Sequence, residues 1–338
     1  MIVGKKVSLL RPKQLLVVSC CFLLAGLASC SQDDTQQQAM VSEGLSAGTY
    51  TGERQNGLRH GEGTLQWETG DQYEGQWSDD LMEGFGIMRF ANGDSYEGQW
   101  QNGYFHGKGD YQWKDGSSYT GEYARGVRTG YGSYTFADGR VYEGLFEKDQ
   151  PRGRGTLNLN DGTQISGEFN NAELIGDGRI LFKNGEEYYG QILKNLPHGK
   201  GTYRWTDGQQ YTGEFVMGER HGMGEETWPT GEKYTGEYRH NLQHGQGKLT
   251  FPDNSIYEGQ FVEGVRQGDG AYHWSDGRTY RGEFLRDVMS GQGEMTWADG
   301  SRFRGNFQQN SLVGKGRCYD KHNPNGVVCW MEDGELRG

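Results

Sequence analysis

A period of 23 residues governs this chain. Copies of one segment open at Tyr50, Tyr73, Tyr96, Tyr119, Tyr142, Ile165, Tyr188, Tyr211, Tyr234, Tyr257, Tyr280 and Phe303. First and last starts lie 253 residues apart, eleven periods with no insertion or deletion. A fixed period of this length marks a repeat architecture, in which each unit is one supersecondary element stacked on its neighbours. It replaces the two or three globular domains that 338 residues would otherwise suggest.

Numbering each copy from 1 to 23 exposes two strands. Position 1 is Tyr in ten copies, position 3 is Gly in all twelve, and position 5 is mostly aromatic. Positions 2 and 4 between them are mostly Glu, Thr or Gln. Positions 12 and 14 are Gly throughout, position 16 is mostly apolar, and position 18 is mostly aromatic, as in Trp67, Trp113, Trp205, Trp228, Trp274 and Trp297. Both runs alternate with period 2, the pattern of a strand with one apolar face. Asp-Gly at positions 20–21, as in Asp115-Gly116, predicts a tight turn because both residues tolerate positive φ. The connection over positions 6–11 reads as a longer polar loop. Each copy is therefore expected to be a β-hairpin, and the chain an all-β, elongated, twisted antiparallel stack of about 24 strands. Aromatic rings, Trp113 among them, are expected to lie over cross-strand glycines.

Composition agrees with a folded chain. Apolar residues make up only 33%, yet aromatics reach 13%, and disordered chains are poor in aromatics. The 58 glycines lack the every-third spacing of collagen. Net charge is −12, which argues against nucleic acid, since binding there rests on Lys and Arg neutralising phosphate.

The segment YEGQWQNGYFHGKGDYQWKDG, from Tyr96 to Gly116, resembles the MORN (membrane occupation and recognition nexus) repeat. The resemblance covers residues 50–317 and implies an elongated hairpin stack that scaffolds or tethers other proteins. Departures are Leu145 and Leu159 in the fifth copy, Ile165, Asp253-Asn254 in place of Asp-Gly, and Arg54 where other copies carry a ring. An atypical first copy suits a cap over an exposed sheet edge.

Residues 1–29 read as a processing segment: Lys5, Lys6, Arg11 and Lys13 precede an apolar run too short to span a bilayer. Leu27-Ala28-Ser29-Cys30 resembles the lipobox of bacterial lipoproteins, which implies lipidation at Cys30; an ordinary secretory signal is the alternative. Ser31 after the Cys implies the outer membrane in that family. Residues 30–49 then form a lipidated, flexible tether, and residues 318–338 a C-terminal cap. Without residues 1–29 the side-chain charge becomes −16.

Five cysteines are present. Cys20 and Cys21 leave with the signal, and Cys30 is the lipid acceptor. Cys318 and Cys329 remain, flanking the turn signal Asn323-Pro324-Asn325-Gly326. An exported chain with an even remainder suggests a disulfide, with two free thiols as the alternative.

Candidate chemistry is sparse. His60, His106, His198, His221 and His244 share position 11, but successive repeats advance about 10 Å, too far to share one ion. A carboxylate column at position 4 (Glu53, Glu122, Glu168 and others) reads as a solvated face. Gly-x-Gly leads into a strand and lacks the dinucleotide context. No metal, cofactor or catalytic residue is assigned. The expectation is a non-enzymatic scaffold, lipid-anchored in the cell envelope and holding an envelope protein. Tyr104, Phe105, Met217 and His221 in the expected loops are the candidate contacts. The alternative is a glycan- or lipid-binding module that uses the aromatic face.

Overall fold

The computed structural model describes residues 48–332 and 335–337. The predicted signal segment, Cys30 and the tether up to residue 47 lie outside them. Every regular element described is a strand, numbered β1 to β26 in chain order from β1 (Gly48–Gln55) to β26 (Glu335–Arg337). No helix among the described residues is long and apolar enough to cross a membrane. The chain divides into two compact units. One holds the described residues up to 185 together with 192–195, and the other holds 186–191 with residues from 196 onward. Each is an antiparallel ladder of sequential hairpins.

The repeat β3 (Gln72–Ser78) and β4 (Leu81–Arg89) shows the unit's logic. Tyr73 faces Met88 and Gly75 faces Gly86; Gly86 then faces Gly98, and Met88 faces Tyr96, in the next repeat. Position 3 thus meets position 14, and glycines run in a line across the strands. Tyr73, Trp77, Met82 and Met88 are buried on one face, which we call the inner face. The ten tyrosines at position 1 each donate a hydrogen bond to the carbonyl three residues on, as Tyr96 does to Gln99 at 2.8 Å and Tyr234 does to Glu237 at 3.0 Å.

The two turns are the reverse of the sequence expectation. The tight turn lies at positions 7–8, where both residues have positive φ, as in Asn102 (52°) and Gly103 (78°) or Asp79 (48°) and Asp80 (67°). Two positive φ values define the type I′ hairpin, and Asn-Gly is its strongest signal. The expected loop therefore shrinks to two residues and the strand resumes at position 9. The Asp-Gly connection is the longer one, closed by Gly116 N–H to Trp113 O and Trp113 N–H to Ser117 O, both 3.0 Å.

Position 12 has a separate reason to be glycine. The register slips between positions 3 and 5, and Gly84 opposite the slip has φ +64°, the left-handed region costly for other residues. The position-4 side chain closes this bulge: Gln76 Oε1 accepts from Phe85 N–H at 3.1 Å, and Glu237 Oε1 from Gln246 N–H at 3.0 Å.

Both ends depart from the pattern. Arg54 lays its guanidinium 4.9 Å from the Tyr50 ring, where a position-5 ring would sit. At the other end β25 (Val327–Glu332) pairs with β24 (Ser311–Tyr319), Gly316 facing Cys329 and Cys318 facing Val327. Cys329 thus occupies the slot of a position-3 glycine. Cys318 and Cys329 are joined by a disulfide, with their Cα atoms 5.9 Å apart.

Candidate interaction surface

The inner face is a sealed aromatic core. Tyr73, Tyr96, Tyr119, Tyr142, Tyr188 and Tyr211 are 0% exposed. Each ring packs edge-on against position-5 rings, as Tyr73 does on Trp77 at 5.0 Å and Trp100 at 5.1 Å. Burial raises the hydroxyl pKa of Tyr73, Tyr96, Tyr119 and Tyr211, and lifts that of Tyr142, and of Tyr257 in the same row, to about 12. These rings cover the glycines: a Cβ at Gly109 would strike Tyr96 ring and hydroxyl atoms before anything else. The predicted tryptophan cover is therefore corrected. Trp67 and Trp205 are buried, whereas Trp113, Trp228, Trp274 and Trp297 are half-buried near the longer turn. Position 18 lies four residues beyond the glycine of position 14, too far along the strand to shield it.

Four arginines enter this face at position 10, where most other repeats place Met, Phe, Leu or Pro. Arg59 pairs with Asp80 at 3.0 Å, Arg128 with Asp149 at 3.1 Å and Arg266 with Asp287 at 3.1 Å. The Arg59 backbone N–H and guanidinium hold the Asp80 carboxyl below its usual range. Arg220 is 1% exposed. It pairs with Glu226, donates to Asn241 O at 2.7 Å and lies 5.3 Å from the Tyr238 ring. Glu226 also accepts from Tyr238 at 2.7 Å and from Gln209 at 2.5 Å. Sequence reasoning missed this network. Its signal is an Arg at position 10 answered 21 residues later by Asp or Asn.

The predicted contact residues separate. Phe105 is 2% exposed and stacks on Tyr96 at 3.7 Å. It is a core residue, not a loop contact, because the strand resumes at Tyr104 and alternation turns Phe105 inward. Tyr104 is half-buried on the outer face, in line with Leu58, Leu81 and Val127 at position 9. Met217 is 40% exposed at a turn. Half-buried His221 lies in a strand, its ring 5.9 Å from that of His240. Among the described residues no three His, Cys, Asp or Glu side chains converge as a metal set.

The outer face carries a shallow trough along the glycine line. In the second unit its floor is Gly236, Gly247, Gly259, Gly270 and Gly282, flanked by Met223, Gln246 and Asp269 on one side and Lys248, Glu258 and Arg281 on the other. Positions 13 and 4 form one wall and positions 15 and 2 the other. Exposed apolar side chains of this face include Phe85 (52%), Tyr131 (62%) and Met223 (54%), all at position 13.

The MORN repeat model matches ten segments: 50–72, 73–95, 96–118, 119–139, 142–164, 188–210, 211–233, 234–256, 257–277 and 280–302, about two thirds of the chain. The chain belongs to the MORN repeat family. Ten MORN repeats are matched rather than the twelve read from the period. The two left out open on Ile165 and Phe303, the copies without the position-1 hydroxyl, although both form hairpins. Over Gly167 and Gly178 the cover is aliphatic, from Leu174 and Ile192. No curated protein matches this MORN chain. Among solved structures it is similar to the Drosophila melanogaster SAS-4 (dCPAP) TCP domain in complex with a proline-rich motif of Ana2 (dSTIL), at 15% identity over 46% of this chain and 85% of that one, TM-score 0.31. The wild-type TCP10 domain of Danio rerio CPAP in complex with a STIL peptide is 15% identical over 73% of this chain and 93% of that one, TM-score 0.26.

Proposed function

We propose that this MORN repeat chain is a non-enzymatic scaffold that holds a partner protein on its outer face. One observation carries the reading: large apolar side chains stand exposed on a frame whose inner face is already filled. Phe85, Tyr131 and Leu145 in the first unit, and Val216, Val262 and Leu285 in the second, are 42–62% exposed. The frame does not need them, because the tyrosine row and its neighbours fill the inner face. Exposed apolar groups grouped on one face mark interaction sites.

The glycan- or lipid-binding alternative drew on rows of Trp and Tyr. Most of those rings are the buried core, so they offer no stacking platform. We further propose that Cys30 carries a lipid anchor that places the scaffold at the cell envelope, as the Leu27-Ala28-Ser29-Cys30 sequence suggests.

Photo-crosslinkers at Phe85, Tyr131, Val262 and Leu285, installed one at a time in the full chain in cells, test the scaffold. A single protein adduct of fixed stoichiometry is expected at one site or more. No adduct at any site, with the purified chain retained on isolated cell-wall glycan, overturns the reading in favour of the alternative. For the anchor, Cys30→Ala should leave the membrane fraction; a variant processed normally and still membrane-bound refutes it.

A further inference from the structure

We propose that the trough of the first unit takes an extended, basic segment of the partner, its side chains pointing alternately to the two walls. The proposal rests on the scaffold reading above and adds which trough is used and what chemistry fills it.

The floor in this unit is the glycine line from Gly75 through Gly98 and Gly121 to Gly144. Between those glycines are six strand spacings of about 4.8 Å, roughly 29 Å, or about nine extended residues. The walls, positions 13 and 15, are two residues apart along each strand, roughly 7 Å. A helix with its side chains is about 10–12 Å across and is too wide for that gap; an extended backbone fits it.

One wall is acidic. Glu74, Glu97, Asp110 and Glu143 lie along it, with Ile87, Thr120 and Ser133 between and no Lys or Arg at positions 2 and 15 from Glu74 to Glu143. Glu97 and Asp110 are both exposed and face each other directly across the ladder. Like charges so placed are destabilising. Arg89, at the strand end outside the wall, reaches Glu74 at 3.9 Å with both side chains more than half exposed. The same wall of the second unit is neutralised: Lys248 pairs with Glu258 at 2.7 Å, Lys233 with Glu225 at 2.9 Å, and Arg281 faces Glu294. The acidic excess therefore belongs to the first trough alone.

The opposite wall is apolar and charge-balanced. Tyr131 and Leu145 face each other, Phe85 stands on the same row, and Lys108 faces Glu122. A strand's side chains alternate in direction. A segment laid along the glycine floor would send basic groups to Glu97 and Asp110 and apolar groups to Phe85, Tyr131 and Leu145.

The test uses a fluorescein-labelled nonapeptide alternating lysine with valine, titrated against the full chain by anisotropy. A block peptide of the same composition is the control. The alternating peptide should bind at least tenfold tighter than the block peptide. Glu97→Lys with Asp110→Lys should weaken it at least tenfold and flatten its salt dependence. Phe85→Ser with Tyr131→Ser should weaken it with the circular dichroism unchanged, and Glu258→Gln in the second trough should leave it unaltered. The milder pair Glu97→Gln with Asp110→Asn covers a fold failure of the charge reversal. Equal binding of the two peptides, or affinity unmoved by either first-unit pair, overturns the proposal. Crosslinking separates the two readings: a partner adduct only at Val262 or Leu285 defeats the first trough and keeps the scaffold, whereas no adduct anywhere defeats both.

Discussion

Gly109→Ala isolates the physics of the tyrosine cover. Gly109 has no positive φ, so the added methyl costs only what it strikes. An ideal Cβ there would lie 2.5 Å from Tyr96 Cε2 and 2.6 Å from Cζ, whereas carbon atoms rest about 3.5 Å apart or more. The ring must retreat by about 1 Å. It is held by Phe105 stacked at 3.7 Å, Trp100 at 5.3 Å and Tyr123 at 5.4 Å. Overpacking of this kind costs about 1–3 kcal/mol. Displacing the hydroxyl from Gln99 O adds roughly 1 kcal/mol. The expected loss is about 2–4 kcal/mol. Tyr96→Leu makes room, so the double variant Gly109→Ala/Tyr96→Leu should be more stable than additivity allows, by about 1–3 kcal/mol. Gly98→Ala is the contrast: its Cβ would sit 2.5 Å from the Tyr96 hydroxyl but also 2.5 Å from Gly109 Cα and 2.8 Å from Lys108 O. Backbone cannot be trimmed, so Tyr96→Leu should rescue it little. Repeat proteins need not unfold in one step, so the assay is native-state hydrogen exchange on peptides covering residues 95–124. Additivity within about 0.5 kcal/mol for the Gly109 pair, or equal rescue of Gly98→Ala, would refute the cover.

Three further outcomes follow from the core and the cap. Arg220→Met strands the Glu226 carboxylate, whose side chain is 4% exposed; about 3–5 kcal/mol should be lost and largely regained with Glu226→Leu, both read by native-state hydrogen exchange over the strands that carry them. Nine position-1 tyrosines, Tyr73, Tyr142 and Tyr257 among them, have folded pKa values raised by burial above the unfolded value of about 10. Their stabilisation is therefore full below about pH 10 and falls as pH climbs through about 12, the value for Tyr142 and Tyr257; phenolate absorbance should rise together with loss of circular dichroism, and reversible ionisation without unfolding would refute it. Cys318→Ser should lower the stability of the terminal strands by about 2–3 kcal/mol, and a chain trimmed of residues 1–30 should show no free thiol when denatured without reductant.

The period, the hairpins and the inward alternation were written in the sequence, because side-chain direction in a strand has period 2 and the repeat never slips. Type I′ turns are equally legible in Asn56-Gly57 and Asn102-Gly103, where Asn-Gly competes with the Asp-Gly of the same period as a turn signal. What tertiary structure decided is where each ring lands. Tyr96 and Trp113 are both aromatic residues of one repeat, yet only Tyr96 lies two residues from Gly98 and diagonal to its partner Gly109 on the next strand, so it is the ring that covers these glycines. Phe105 reads as a loop residue until the two-residue turn is known; then alternation alone buries it. The pairing of Arg59 with Asp80, 21 residues away, is set by stacking of successive hairpins, which the one-dimensional pattern records without explaining. The acidic wall likewise exists only in register. Glu97 and Asp110 are thirteen residues apart in the chain, and the ladder places them face to face.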